Sequence, residues 1–315
     1  MELHEKQMRQ VYSETLVELG RANPQICLLE ADLMLASGTQ AFMKEFPERF
    51  FNVGVAEANM IGIAAGLSTA GKIPFCTTFT SFITRRAYDQ ITISVAYAKR
   101  NVKIVGTDPG ITATTNGGTH MCFQDLAIMR VMPQMIVLSP ADACEVRAMV
   151  RFMAEFQGPV YMQLIRGIQP KLFGPEYQFA LGRAVILSEG QDVTLVSTGL
   201  TTPYGRKAVE LLSAKGVSVE HLHYPTVKPF DTETLIASAK KTRFVVSVEN
   251  QNILGGLGSA VCETLSDRYP VPVKRLGVPD RFGEVGSEEY LMEKHRFGIS
   301  NIVAALCERG KHGPN

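Results

Sequence analysis

One stretch decides the fold, and it reads Val53-Gly54-Val55-Ala56-Glu57-Ala58-Asn59-Met60-Ile61-Gly62-Ile63-Ala64-Ala65-Gly66-Leu67. A short apolar strand over 50–53 leads through a glycine into a helix predicted over 57–70. This helix carries almost no charge, so we expect it to be buried. Glu57 lies in its first turn and is the only acidic residue between Glu48 and Asp89.

Glu57 needs an explanation, because burial without a partner disfavours the charged form of a carboxyl group. The sequence places no basic residue beside it. One explanation is that the positive end of the helix dipole stabilises an acid there. The other is that a ligand shares a proton with the carboxyl group through a hydrogen bond. Glu57 alone favours the first explanation, and the motifs that follow it favour the second.

Apolar runs and helical patterns alternate along the chain, which is typical of an α/β protein with mainly parallel sheets. In the first part, strands are predicted at 26–29, 50–53, 73–78, 102–107, 135–138 and 160–165, and helices at 4–20, 40–46, 57–70, 82–99, 124–131 and 142–156. In the second part, strands are predicted at 193–197, 217–222, 244–248 and 273–277, and helices near 203–215, 256–268, 287–293 and 298–308. Glycines and prolines interrupt the rhythm between them. We therefore expect two domains, 1–168 and 191–315, joined by a linker over 169–190, each a mainly parallel sheet flanked by helices.

Composition excludes several classes of function. The chain has 315 residues, a net charge of +1 and 45% hydrophobic residues, which indicates a compact globular protein with no electrostatic case for binding nucleic acid or an anionic membrane. Its apolar runs are interrupted too early to span a bilayer. The six cysteines show no CxxC pair and no cluster has metal-ligand spacing, so we expect buried, reduced thiols. With a charged helix start over 1–7 in place of a signal peptide, this predicts a cytoplasmic protein.

Four motifs follow the opening stretch in a fixed order. They read Thr77-Thr78-Phe79-Thr80-Ser81-Phe82, Arg86-Ala87-Tyr88-Asp89-Gln90, Gly117-Gly118-Thr119-His120 and Leu126-Ala127-Ile128-Met129-Arg130. With the glycine-to-glutamate segment, this order resembles the pyrimidine-binding domain of the transketolase family, which includes deoxyxylulose-phosphate synthase. The resemblance covers most of residues 25–170. The later part of the chain resembles the family's C-terminal domain.

The resemblance implies a set of residues for thiamine diphosphate. Glu57 matches the family glutamate that hydrogen-bonds a ring nitrogen of the aminopyrimidine and promotes its imino tautomer. Phe79 and Phe82 match the aromatic pair beside that ring, where a flat heterocycle stacks well. By themselves the two phenylalanines would indicate ordinary core packing. Asp32 matches an acid near the cofactor at the subunit interface.

The resemblance also implies substrate contacts. His120 matches the histidine that contacts a substrate oxygen and exchanges a proton with it. Arg166 matches the arginine that binds the substrate phosphate, although a surface ion pair is the alternative for such a residue. Asp125 lies at the spacing seen in the synthase branch. Two positions depart from the transketolase pattern: Asn116 replaces an aspartate that contacts a substrate hydroxyl, and Arg85 replaces a tyrosine.

One family feature is missing from the sequence. The family binds the cofactor diphosphate through Mg²⁺, using a Gly-Asp-Gly segment and a later asparagine, and this chain has no such segment. The resemblance therefore implies the C-terminal subunit of a split transketolase, with thiamine diphosphate and Mg²⁺ completed by an N-terminal partner chain in a 2+2 heterotetramer. The implied reaction transfers a two-carbon ketol unit from a ketose phosphate to an aldose.

Three other functions stay open at the level of sequence. They are a condensation like that of deoxyxylulose-phosphate synthase, the role of a 2-oxo acid dehydrogenase β subunit, and a regulatory remnant without activity. The glycine-rich segment 255–259 also hints at a nucleotide loop. Close packing of a helix start is the favoured interpretation of that segment, since no acidic partner follows it downstream.

Overall fold

The first half of the chain alternates strands and helices in the predicted order. The structure is a computed structural model that describes residues 2–308. The strands are β1 (Ile26–Glu30), β2 (Phe50–Asn52), β3 (Ile73–Phe79), β4 (Lys103–Thr107), β5 (Ile136–Leu138) and β6 (Val160–Leu164). The helices are α1 (Met8–Ala22), α2 (Met34–Ser37), α3 (Gln40–Glu45), α4 (Glu57–Thr69), α5 (Tyr88–Gln90), α6 (Asp125–Val131) and α7 (Ala143–Glu155).

These six strands pair in the order β5-β6-β4-β3-β1-β2, and every neighbouring pair is parallel. All residues of β1, β3, β4 and β6 are buried, because helices cover both faces of the sheet. The carboxyl ends of parallel strands meet at one edge, where open α/β sheets bind ligands. The segments that carry the predicted site residues begin at this edge.

The second half forms a sheet of its own. This half of the chain contains the strands β7 (Val185–Ser188), β8 (Val193–Ser197), β9 (Val219–His223), β10 (Thr226–Lys228), β11 (Val245–Asn252) and β12 (Val273–Val278), and all of them except β10 belong to this second sheet. Its helices are α8 (Thr201–Ser213), α9 (Thr232–Thr242), α10 (Leu257–Arg268), α11 (Glu288–Lys294) and α12 (Ile299–Leu306). The sheet order is β12-β11-β8-β9-β7, with only the β7–β9 pair antiparallel. The predicted fold class, two mainly parallel sheets flanked by helices, is confirmed.

Besides the four-residue helix α2, three elements are absent from the prediction. β7 lies inside the segment predicted as a linker and adds an edge strand to the second sheet. β10 pairs antiparallel with β5 and so adds a strand from the second half of the chain to the first sheet. Both strands are too short to show a clear alternation of apolar and polar residues. The third element, α9, carries a signal that could have been found, since Asp231 caps its start by accepting a hydrogen bond from the Thr234 N–H group.

Two predicted helices differ from expectation. The continuous helix predicted over 82–99 is divided into a π-helix over Phe82–Arg86, the short α5, and a second π-helix over Ile91–Tyr97. Such π-helical turns are rare and occur often at functional sites. The expectation that α4 is buried is correct for one face only. Its other face, formed by Asn59, Gly62, Ile63 and Gly66, is exposed and uncharged.

The predicted thiols and the membrane question have structural outcomes. The six cysteines are free; Cys27, Cys76 and Cys122 are buried, whereas Cys307 is exposed. None of the helices within residues 2–308 combines the length and the apolar character that crossing a membrane requires.

Candidate active site

Glu57 is the first residue of α4 and is 1% exposed. Its two carboxylate oxygens accept hydrogen bonds from Nη1 of Arg86, at 2.9 Å for Oε1 and 2.8 Å for Oε2. Glu57 is therefore paired in the fold, although no basic residue lies beside it in the sequence. Arg86 lies 29 residues further along the chain, at the end of the first π-helix, so proximity in sequence could not reveal it.

An aromatic cluster of Phe79, Phe82 and His120 lies next to this ion pair. The ring centroids of Phe79 and Phe82 are 5.8 Å apart. The imidazole of His120 meets both rings edge-on, at 6.0 Å from Phe79 and 5.2 Å from Phe82. The guanidinium carbon of Arg86 lies 4.6 Å from the centre of the Phe82 ring. Arg86 thus connects Glu57 to the aromatic cluster, and four residues predicted from three separate motifs come together.

His120 lies at the end of the loop that follows β4, and it is partly exposed. Its Nδ1 atom is 2.8 Å from the hydroxyl oxygen of Thr119. Arg85 donates a hydrogen bond from Nη2 to the Thr119 carbonyl oxygen at 3.0 Å. Arg85 therefore supports the loop beside the histidine. Asn116 is exposed on the same loop, where its side chain is open to solvent.

Arg166 follows β6 at the carboxyl edge of the sheet and lies opposite Asp108, which follows β4. The Nε of Arg166 is 3.6 Å from Oδ1 of Asp108, and the arginine side chain is 36% exposed. Burial raises the pKa of Asp108 to about 6, while the charges of Arg166 and Arg9 oppose that rise. The ion pair expected as the alternative is present, but it is longer than a hydrogen bond, and the exposed guanidinium retains donors for an anionic ligand.

Asp125 is placed differently from the prediction. It is fully buried at the start of α6, where its Oδ2 accepts hydrogen bonds from the Tyr161 hydroxyl at 2.7 Å and from Nε2 of Gln163 at 2.5 Å. Burial raises the pKa of Asp125 to about 6. With no exposed surface, this carboxyl group attaches α6 to β6, and the geometry does not support a contact with a substrate.

Asp32 and Glu30 lie together at the end of β1. Asp32 is exposed and exchanges two hydrogen bonds with Asn52, one from its own backbone N–H at 3.0 Å and one to its Oδ1 at 3.2 Å. The sequence prediction passed over Glu30, which is fully buried and accepts a hydrogen bond from the Thr39 hydroxyl at 2.7 Å. Burial raises the pKa of Glu30 to about 8.

The donor set at the site fits one half of thiamine diphosphate. A buried carboxyl group, two phenyl rings and an imidazole suit an aromatic nitrogen heterocycle. Within residues 2–308, the group of side chains arranged like metal ligands comprises His4, Asp142 and Cys144, outside the aromatic cluster. There, Oδ2 of Asp142 already accepts hydrogen bonds from two backbone N–H groups. These residues therefore do not reproduce the carboxylate and amide ligands of a magnesium diphosphate site.

The glycine-rich segment over 255–259 is the start of a helix, and a buried side chain of the same chain occupies the space in front of it. The carboxylate of Glu249 accepts hydrogen bonds from the N–H groups of Leu257 at 2.9 Å and Gly258 at 2.8 Å. A Cβ atom on Gly256 would lie 1.9 Å from Oε2 of Glu249. The suggestion of a nucleotide loop is wrong, because an internal acid occupies the position of a phosphate. The favoured interpretation, close packing, is confirmed.

Two family descriptions match the chain. Residues 4–170 match "Transketolase, pyrimidine binding domain", and residues 182–302 match "Transketolase, C-terminal domain". The first match contains all the predicted cofactor and substrate residues.

Two relatives and one solved structure are similar to nearly the whole chain. A protein of Clostridium sp. (strain MSTE9), described as 6-deoxy-6-sulfo-D-fructose transketolase subunit SqwH, is 47% identical over 308 residues, which cover 98% of this chain and 96% of the relative. An apulose-4-phosphate transketolase subunit of Phocaeicola vulgatus is 34% identical over 273 residues, covering 86% and 87%. A structure described as "Split gene transketolase, inactive beta4 tetramer" is 44% identical with a TM-score of 0.89, covering 98% of this chain and 99% of that one.

Proposed function

We propose that this chain, which belongs to the transketolase family, is the C-terminal subunit of a two-chain, thiamine-diphosphate-dependent transketolase. The observation that carries the proposal is the contact between the Glu57–Arg86 ion pair and the aromatic cluster at the carboxyl edge of the first sheet. The full-length similarity to chains described as transketolase subunits supports it.

In this proposal, the chain binds the aminopyrimidine part of the cofactor. Bound thiamine diphosphate supplies the carbon centre that breaks and re-forms the bond beside a ketose carbonyl. Phe79 and Phe82 would hold the aminopyrimidine by stacking, and Glu57 would share a proton with its ring nitrogen. Since Arg86 engages both oxygens of Glu57, this ion pair loosens when the carboxyl group shares a proton with a ligand. We assign Asp32, which is exposed after the end of β1, to the subunit interface near the cofactor.

The part of the site that binds the substrate consists of His120, Arg166 and Asn116. His120 exchanges a proton with a substrate oxygen. Its edge-on contacts with Phe79 and Phe82 fix the direction of its imidazole. The exposed guanidinium of Arg166 binds the anionic end of the sugar. A phosphate fits this role, and so does the sulfonate implied by the name of the clostridial relative. Asn116 both donates and accepts hydrogen bonds, so it selects substrate hydroxyl groups differently from an aspartate.

The partner chain supplies the magnesium and diphosphate site and covers the exposed face of α4. That face contains Gly62 and Gly66, where an added Cβ atom would meet no atom within 4 Å in this chain. A glycine inside a helix is less favourable than alanine by about 1 kcal/mol, so the two glycines suit the close approach of another chain. Nearby, Val55 is 73% exposed. We infer two copies of each chain in the assembly, and the description of the related β tetramer as inactive agrees with a need for the partner.

Reconstitution tests the proposed function. The chain is mixed with an N-terminal transketolase subunit that carries Gly-Asp-Gly and the later asparagine, and ketol transfer from a ketose phosphate to an aldose is followed with thiamine diphosphate and Mg²⁺. We expect transfer from the mixture and from neither chain alone. Absence of ketol transfer from an assembled, cofactor-loaded complex with every anionic ketose donor tried would contradict the proposal.

A further inference from the structure

The loop over 108–123 carries much of the proposed substrate site, including Asn116 and His120. It leaves the end of β4 and returns to the start of α6, and its two ends are joined by a hydrogen bond from the Gly110 N–H group to the Cys122 carbonyl oxygen at 3.0 Å. Glycine and threonine dominate its sequence, and such residues do not define one conformation by themselves. The loop makes some hydrogen bonds within itself, such as that from the Thr112 N–H group to the Pro109 carbonyl oxygen at 3.2 Å, and contacts from outside the loop add to them.

Asn250, on β11 of the second sheet, contacts the loop near its beginning. Its Oδ1 accepts a hydrogen bond from the Ile111 N–H group at 3.0 Å, and its Nδ2 donates one to the Pro109 carbonyl oxygen at 3.1 Å. Asn250 is 3% exposed, so water cannot replace either bond. Both functional groups of one buried amide are thus committed to the backbone of the loop.

Asn250 packs so closely against the loop that Gly110, which lies between Pro109 and Ile111, has no room for a side chain. Gly110 has a φ of +60°, and a Cβ atom there would lie 2.2 Å from the Asn250 carbonyl oxygen. Glycine is therefore required for both conformation and space. The contact is a close approach of two backbones, with the amide of Asn250 fixing their register.

The second half of the chain also contacts the loop near Asn116. The Gly286 N–H group donates a hydrogen bond to the Thr114 carbonyl oxygen at 3.2 Å. A Cβ atom on Gly118 would lie 2.3 Å from the carbonyl oxygen of Gly283. The segment over 283–286 therefore touches the loop on both sides of Asn116. Loop and second half form one packed unit.

We propose that the second half of the chain holds the loop in its reactive shape, and that Asn250 is the positioning residue. This inference rests on the proposed function for its effect on catalysis. Through Pro109 and Ile111, Asn250 fixes the path of the loop between Asp108, which faces Arg166, and His120, which contacts Phe82. Displacing a reacting group by about 1 Å can lower a rate about 100-fold, so the loop conformation controls catalysis.

The test replaces the amide with a group of the same shape. In Asn250→Asp the nitrogen that donates to Pro109 becomes an oxygen, and the two oxygens repel each other at neutral pH. Gln251→Glu is the matched control: it makes the same chemical change at the next residue of β11, where the wild-type side chain is 2% exposed and its Nε2 has no hydrogen-bond partner within residues 2–308. Asn250→Ser provides a second variant that cannot span both loop groups.

The first measurement is amide hydrogen exchange on the chain itself, which does not depend on ketol transfer. We expect amides over 110–123 to exchange at least about tenfold faster in Asn250→Asp and Asn250→Ser, a loss of about 1.4 kcal/mol of protection, while amides of α1 stay unchanged. The loop amides of Gln251→Glu keep their wild-type rates. Wild-type rates over 110–123 in either folded Asn250 variant, or equal acceleration in the control, would overturn the assignment.

The second measurement uses the complex with the partner chain. We expect kcat of the Asn250 variants to fall at least about tenfold while the Kd for thiamine diphosphate is unchanged, because Glu57, Phe79 and Phe82 lie outside the loop. Lowering the pH protonates the new carboxyl group of Asn250→Asp, restores a donor to Pro109 and slows loop exchange again. An unchanged kcat would overturn the positioning role. If the wild-type complex transfers no ketol unit, the proposed function fails and the exchange measurement still decides the role of Asn250.

Discussion

Arg86 donates hydrogen bonds from a single nitrogen, Nη1, to both carboxylate oxygens of Glu57, at 2.9 and 2.8 Å. The acid is 1% exposed, whereas the arginine side chain is 51% exposed. A buried carboxylate is therefore paired with a cation whose side chain is half exposed. The arrangement gives Glu57 a partner in this chain and leaves the ion pair accessible to a ligand that competes for the carboxyl group.

Replacing Glu57 with glutamine tests its proposed chemical role. An amide cannot share a proton with a ring nitrogen, so we expect Glu57→Gln to lower turnover of the reconstituted enzyme by roughly 100- to 10,000-fold. The melting temperature should stay close to wild type, because the amide oxygen still accepts a bond from Arg86. Turnover within a factor of a few of wild type would remove Glu57 from the catalytic role.

Removing the arginine tests the ion pair itself. In Arg86→Met the carboxylate of Glu57 loses its hydrogen-bond donor while staying buried, which should lower the free energy of unfolding by about 1–3 kcal/mol. Arg85→Met is the neighbouring control, since Arg85 donates to the backbone carbonyls of Ser81 and Thr119 and leaves no charge unpaired. Urea unfolding of both variants gives the comparison. Equal losses would mean that the Glu57–Arg86 pair contributes no more to stability than these backbone contacts.

The sequence predicts the members of the site better than their partners. Glu57, Phe79, Phe82 and His120 stand in recognisable motifs, and the structure brings them together. The partner of Glu57 was hidden, because a π-helix sets the position of Arg86 and no periodicity in the sequence indicates one. An ion pair between distant residues depends on tertiary structure, which motif spacing does not describe.

The assignment of Arg166 to an anionic group predicts a selective loss. A charge-assisted hydrogen bond contributes about 1.5–3 kcal/mol, so Arg166→Ala should lower kcat/KM for phosphorylated or sulfonated donors roughly 10- to 150-fold more than for a neutral ketose. Arg166→Lys keeps the charge and should recover part of the loss. Equal reductions for charged and neutral donors would leave Arg166 as a structural partner of Asp108.

Buried Glu30 predicts a pH dependence of stability. Its pKa is raised by burial from 4.5 to about 8, so the folded state holds a proton that the unfolded state has released between these values. The free energy of unfolding contributed by Glu30 therefore falls as the pH rises from 4.5 to about 8.

In Glu30→Gln that contribution is removed, and we expect a gain of roughly 1–3 kcal/mol at pH 8.5 that disappears near pH 4.5. Chemical denaturation across this range measures it. The exposed Glu48 offers a control. Glu48→Gln should change the free energy of unfolding only slightly, and by the same amount at every pH. A Glu30→Gln curve parallel to wild type over the same pH range would mean that Glu30 is charged in the folded protein.

The architecture was predictable where apolar runs are long, and less so where a short segment depends on a partner far along the chain. β1, β3 and β4 are continuous buried runs and were found from the sequence, whereas the three-residue strand β10 was not. Asp125 shows the same limit within the site. Its spacing from His120 suggested a substrate contact, but the interior position that Tyr161 and Gln163 give it could be seen only after folding.

The central claim is that this chain holds half of an active site, and calorimetric titration tests it most directly. Thiamine diphosphate with Mg²⁺ is titrated into this chain alone and then into its mixture with the N-terminal partner, with turnover measured on the same samples. Stacking contributes only about 0.5–1.5 kcal/mol beyond buried area, so the account predicts weak binding and no turnover alone, and tight binding with ketol transfer in the mixture. Tight Mg²⁺-dependent binding together with turnover by this chain alone would contradict the account.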